Sequence, residues 1–200
     1  MTKTQHHVIY VPGILDDIYH AQGLAVAGWR FHGVHGHLHE MPWKGQEGYN
    51  PKLERLLALI DRYADQGHHV SLVGASAGAG AVINAYIERA DKITGLVYVC
   101  GKINGPETVG QRIYTENPAF KTSLELLQAN LMRLTSKDKA KMTSFYSPGD
   151  HSVPHTATII PGVREQQLPA MGHGRSIVYS LTLGARRLLA PLKAQAAKPL

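Results

Sequence analysis

The sequence predicts an α/β fold in which a mostly parallel, six-stranded sheet carries helices on both faces. Two observations carry that expectation. Apolar runs of strand length alternate with helix-period patterns almost from end to end, the order that buries a parallel sheet between layers of helices. Residues 70–80 read V-S-L-V-G-A-S-A-G-A-G, a β-type run that stops at Gly74 and passes through small residues alone into a helical pattern at Ala81, Val82, Ala85 and Ile87. That is a strand, a tight turn and a helix.

The elements follow in order. Residues 7–11 form a first strand, which Pro12-Gly13 ends. Asp16 or Asp17 caps a helix over 18–28, because the Asp side-chain oxygen accepts an otherwise orphaned N–H. A second strand is expected at 30–34, then a loop with Met41, Trp43 and Tyr49. Pro51 opens a helix whose Leu53, Leu56, Leu57 and Ile60 share one face at 3.6-residue spacing. The third strand ends at the turn described above, and its helix runs to about residue 90. Residues 93–100 form a fourth strand, and a connection leads to an amphipathic helix marked by Phe120, Leu124, Leu127, Leu131 and Leu134. Residues 141–146 and 163–168 are the fifth and sixth strands. A final helix over 175–192 shows Val178, Leu181, Leu188 and Leu189 on its apolar side. No repeat, linker or low-complexity tract divides the chain, so residues 1–200 are expected to form a single domain with a frayed tail from 194.

Composition narrows the function classes. Hydrophobic residues at 44% and charged ones at 18% describe a soluble globular chain rather than a disordered one. Nothing is long and apolar enough to span a membrane, and M-T-K-T-Q-H-H opens directly into a short apolar run with no signal-peptide pattern. A cytoplasmic location is the expectation. The net charge of +6 comes from basic residues that are scattered apart from Arg186-Arg187. No nucleic-acid motif accompanies them. The single cysteine, Cys100, excludes an intramolecular disulfide and reads as a buried, inert thiol.

Gly74-Ala75-Ser76-Ala77-Gly78 matches G-x-S-x-G, a nucleophile elbow in which the serine sits in a strained turn. Glycine is needed on both sides because incoming strand and outgoing helix come too close for a Cβ. Unpaired N–H groups at the helix start would stabilise negative charge developing there. The spacing of Gly74, Gly78 and Gly80 does not fit G-x-G-x-x-G, and no Lys-Ser/Thr follows as in a P-loop.

A serine nucleophile needs a base, and the base needs an orienting acid. In open parallel sheets, residues just after strands are the eligible ones. Asp150, in S-P-G-D-H-S-V-P, follows the fifth strand; by itself it reads equally as a turn residue. His173, in M-G-H-G, follows the sixth strand; by itself it is one loop histidine among 12. Together with Ser76 they form a coherent set.

With the order serine, acid, histidine on these three motifs, the chain resembles a small member of the α/β-hydrolase family over most of its length. The resemblance implies a Ser76–His173–Asp150 triad and an oxyanion hole formed by the Ala77 N–H and, from the loop after the first strand, the Ile14 N–H. Many relatives have His-Gly where this chain has Pro12-Gly13, so a side chain that usually braces the loop is missing. Residues 101–139 leave little room for a separate cap, which makes the site fairly open. The implied function is hydrolysis of a small-molecule carboxylic ester or thioester, without cofactor. The competing reading is a non-catalytic relative that binds a ligand or partner in the same pocket. Leu15, Met41, Trp43 and Tyr49 are candidate walls of an acyl pocket. His32, His35, His37 and His39 read as an exposed polar loop in preference to a metal site, since no cysteine lies near them.

Overall fold

In the computed structural model, residues 4–14, 19–169 and 171–198 are described. Six strands form one sheet: β1 His6–Val11, β2 His35–Leu38, β3 His69–Ala75, β4 Ile93–Val99, β5 Met142–Tyr146 and β6 Arg164–Gln167. Their spatial order is β2-β1-β3-β4-β5-β6, and every neighbouring pair is parallel. The helices are α1 Tyr19–Ala27, α2 Tyr49–Ala64, α3 Gly78–Glu88, α4 Gln111–Glu116, α5 Pro118–Leu131, α6 Ser136–Lys139, α7 His173–Leu181 and α8 Ala185–Ala196. None of the described helices is long and apolar enough to cross a membrane.

The central strands are near-continuous apolar runs because both faces are covered. Ile9, Val11, Leu72, Leu96 and Tyr98 point to the layer built from α2, α3 and α5. Val8, Tyr10, Val73, Val97 and Val99 point to the opposite layer, where Val26, Trp29, Leu181, Leu188, Leu189 and Leu192 pack. From β1 the chain crosses to β2 on one side, then returns past β1 to build β3 through β6 on the other. Such a reversal opens a crevice at the carboxyl ends of the two strands that flank it.

Two sequence expectations are corrected. The second strand lies not at 30–34 but at His35–Leu38; the segment before it, Gly28–His32, is a short 3₁₀ helix. There the Trp29 indole Nε1 donates to the Leu181 carbonyl at 3.0 Å, which holds the aromatic side chain in the core. Gly33, at φ 78°, ends that turn. Gly36 then lies against the Val26 carbonyl, where a Cβ would collide. The single final helix is two, α7 and α8. The Gly184 N–H donates to the Tyr179 carbonyl at 2.7 Å, and a Cβ on Gly184 would lie 2.8 Å from the Tyr179 ring. That close return of the chain breaks the helix and turns α8 back onto β4. The proposed caps Asp16 and Asp17 lie outside the described residues.

Of the histidines expected in an exposed loop, His35 and His37 belong to a packed array at the amino-terminal end of the sheet, while His32 ends the 3₁₀ segment and the His39 N–H donates to the Tyr10 carbonyl. His35 pairs in register with His7 of β1, and His37 with Ile9. His7 Nδ1 and His37 Nε2 share one proton across 2.8 Å, and the Tyr63 ring stacks on His7 at 4.0 Å. His7 Nε2 is buried without a partner among the described residues. Burial, with His37, His68 and other imidazoles alongside, pushes His7 down to about 4. Burial does the same to His6, beside His69 and Lys193, and to His39, near Arg55; both stand at about 4.

These three groups stay neutral in the folded chain at pH values where the unfolded chain takes up protons. Stability is therefore complete above about pH 6.5 and falls as pH drops towards 4, by about 1.4 kcal/mol per pH unit for each such group. Thermal unfolding between pH 7.5 and 4.5 should show this steep loss. His7→Phe, which keeps a ring for stacking on Tyr63 but cannot titrate, should remove about one proton's worth of the slope.

Candidate active site

The site forms where β1 and β3 part. Gly74 and Gly78 let α3 start directly under the strand ends. A Cβ on Gly74 would lie 2.6 Å from the Gly78 carbonyl, and one on Gly78 would strike the carbonyls of Val11 and Pro12. The chain reverses within the residues between them, and Ser76 takes φ 51°, a left-handed conformation that costs a non-glycine residue about 1–2 kcal/mol. The surrounding bonds hold it there. The Ser76 N–H donates to the Val99 carbonyl at 3.0 Å, and its own carbonyl accepts from Ala79 and Lys102 at 3.1 and 3.2 Å.

The loop after β5 and the turn before α7 bring the partners. Gly172, at φ 75°, turns the chain so that His173 opens α7 facing the elbow. His173 Nε2 lies 3.0 Å from Ser76 Oγ, and its Nδ1 lies 2.6 Å from Asp150 Oδ2. Asp150 Oδ1 accepts from the N–H groups of Ser152 and Val153 at 2.9 and 2.8 Å. The Asp150 side chain is 0% exposed. Burial alone would raise its pKa, but the bonds from His173 and Val153, the nearby His173 charge and the Cys100 thiol together hold it below the usual carboxylate range. The carboxylate is thus ionised and aimed at an imidazole whose far nitrogen faces the serine.

Cys100 is the buried free thiol expected from the sequence. It sits at φ 47° with its N–H on the Phe145 carbonyl at 2.8 Å. Burial, together with the Asp150 charge, pushes its thiol up to about 12. It remains a protonated donor beside the carboxylate. Cys100, Asp150 and His173 are the one set among the described residues whose ligand atoms lie within 4.8 Å of one another, as a metal would need. Asp150 and His173 are already bonded to each other there, and the sulfur keeps its proton.

The amides of Ala77 and Ile14 have no hydrogen-bond partner among the described residues. A Cβ on Gly13 would lie 2.9 Å from the Ser76 Cβ, so the Pro12–Ile14 turn runs beside Ser76. Trp43 supplies the brace that the sequence lacked at Pro12-Gly13: its indole Nε1 donates to the Pro12 carbonyl at 3.2 Å. Trp43 is therefore a support of this turn rather than a pocket wall. Met41 and Tyr49 are likewise not among the lining residues. Both are buried in the core; the Met41 carbonyl accepts from the Tyr19 hydroxyl, and the Tyr49 hydroxyl accepts from Asn84 Nδ2. Leu15 lies outside the described residues.

Ser76 and His173 open instead onto a cavity of about 450 Å³. Its apolar walls come from Ile14, Val109, Ile113, Phe120, Val153 and Ile177. Three of these belong to the stretch between β4 and β5, so α4 and the turn before it wall the site without enclosing it. Ile113 and Val178 at the mouth are 38% and 53% exposed. Lys102, Gln22 and Tyr10 also line the cavity. Their side chains carried no motif that would mark them in the sequence.

No protein-family model and no curated protein matches the chain. Solved structures do. One of the metagenome-derived lipolytic enzymes LipS and LipT superposes with a TM-score of 0.68 at 13% identity, over 96% of this chain and 94% of that one. Est1E from Butyrivibrio proteoclasticus gives 0.68 at 16% identity, over 98% and 90%. An alpha/beta hydrolase from the metagenome of sediments of the Mar Chica lagoon, Morocco, gives 0.63 at 15% identity, over 97% and 93%. With six parallel strands, helices on both faces and these structural neighbours, the chain has the α/β-hydrolase fold.

Proposed function

We propose that this chain is a serine hydrolase of carboxylic esters or thioesters, working through Ser76, His173 and Asp150 and an acyl-enzyme intermediate. The observation that carries the reading is the unbroken run of contacts from Ser76 Oγ through the His173 imidazole to the buried Asp150 carboxylate. Such a run has a defined use: it lets a neutral hydroxyl give up its proton as it attacks. Structural neighbours that include lipolytic enzymes support the same class.

In the first step the Ser76 oxygen bonds to the substrate carbonyl carbon while its proton passes to His173 Nε2. Asp150, ionised, accepts from Nδ1–H, fixes the tautomer and stabilises the imidazolium. The carbonyl oxygen becomes an oxyanion between the free N–H groups of Ala77 and Ile14, whose fixed position needs no reorganisation during reaction. Collapse breaks the bond to the alcohol or thiol, which leaves with the proton from Nε2. Water then attacks the acyl-enzyme by the same route and restores Ser76. The half-open cavity admits that water.

Hydrolysis of short aryl and alkyl esters and thioesters tests the reading. Ser76→Ala should lower kcat by about five to six orders of magnitude, and Asp150→Asn by about three to four, with the fold retained in circular dichroism. A wild-type protein that binds these esters without turning them over would instead favour a pure binding role. Trp43→Phe should reduce kcat about tenfold with little change in KM, because it frees the Pro12 carbonyl and loosens the Ile14 amide without touching the cavity.

A further inference from the structure

The cavity beside Ser76 contains a charge that the triad does not use. Lys102 follows β4, and its backbone N–H on the Ser76 carbonyl places the start of its side chain beside the elbow. Lys102 is only 7% exposed, and it lines the cavity together with Thr108. Its ammonium donates to Thr108 Oγ1 at 2.7 Å, and Thr108 Oγ1 in turn donates to the Gly105 carbonyl at 2.8 Å. This accounts for one of three N–H donors. No carboxylate pairs with Lys102 among the described residues; exposed Glu107 acts on it only at longer range.

A buried cation without a counter-ion is costly, and burial does push this ammonium below the usual lysine range. A role confined to tying down the turn at Gly105–Thr108 would not need a charge; a neutral donor would serve. Among the described residues, the rest of the lining includes no Asp or Glu that would repel an incoming anion. On the wall formed by β1 and α1, the Tyr10 hydroxyl and Gln22 Oε1 are buried and have no partner among the described residues. The cavity is thus furnished for a substrate with polar groups beyond its ester.

Building on the serine-hydrolase reading, we propose that the substrate is an ester that carries a carboxylate, and that the Lys102 ammonium in the cavity holds that carboxylate while the ester carbonyl lies at Ser76. Lys102 is the specificity-determining residue in this scheme. The bound carboxylate supplies a counter-ion, and a charge-assisted hydrogen bond is among the stronger polar contacts available. Two placements share this chemistry: the carboxylate on the acyl chain or on the alcohol.

The test compares kcat/KM in wild type, Lys102→Met and Lys102→Gln on two matched pairs. One pair is para-nitrophenyl pentanoate and the para-nitrophenyl monoester of glutarate, which places the charge on the acyl side. The other is phenyl pentanoate and 4-carboxyphenyl pentanoate, which places it on the alcohol. In one pair, wild type should prefer the charged ester, and both substitutions should cut the charged-to-uncharged ratio by at least about tenfold. Comparing ratios between proteins cancels differences in leaving-group reactivity and any general loss of activity. If wild type shows no preference in either pair, or if the preference survives loss of the ammonium, the proposal is overturned while ester hydrolysis stands. If no ester is turned over, the hydrolase reading fails. Calorimetric binding of the same esters to Ser76→Ala, with and without Lys102→Met, then decides on the anion site alone. Tighter binding of a charged ester that depends on Lys102 supports it, and equal binding of both members overturns it.

Discussion

The contact between Gly78 and the carbonyl groups that end β1 governs the rest of this structure. Because residue 78 has no Cβ, α3 begins against Val11 and Pro12, and the chain must reverse between Gly74 and Gly78. That reversal forces Ser76 into the left-handed region and lifts its hydroxyl clear of the sheet. It also sets the turn after β1 beside Ser76. The strain at Ser76 is offset by the bonds to Val99, Ala79 and Lys102, which tie the elbow to β4 as well as to α3.

The two ends of the sheet are put to different uses. At the carboxyl end, Ser76, His173 and Asp150 each have a partner that fixes an orientation: Val153 for Asp150, Asp150 for His173, His173 for Ser76. At the amino end, imidazoles pack on one another and on Tyr63 with few compensating acceptors. Burial there holds His6 and His7 below the ordinary histidine range, at the end of the sheet away from Ser76. The cavity stands between these regimes. Its walls are mostly apolar, yet Lys102, Tyr10 and Gln22 bring polar groups that the described residues leave wholly or partly unsatisfied.

Much of this arrangement is legible in the sequence because it is written in short-range constraints. The elbow can be read because only glycine tolerates the approach at 74 and 78, and the acid and histidine can be read because they follow strands in a parallel sheet. What is not legible depends on distant packing. Trp29 and Phe31 alternate as a strand would, but the Leu181 carbonyl captures the Trp29 indole and the segment coils instead. The break between α7 and α8 depends on Gly184 meeting Tyr179. Met41, Trp43 and Tyr49 are apolar enough to line a pocket, and only the fold reveals that they lie behind it, with Trp43 reaching the Pro12 carbonyl. Lys102 carries no motif at all; its interest comes from being buried on the cavity that Ser76 lines.

The measurement that bears most directly on the central claim is the intact mass of the protein after treatment with a fluorophosphonate, with Ser76→Ala as control. Activation of Ser76 by His173 and Asp150 predicts a single phosphonyl adduct on wild type and none on the control. A folded wild-type protein that stays unmodified, or an adduct that persists in Ser76→Ala, would contradict it.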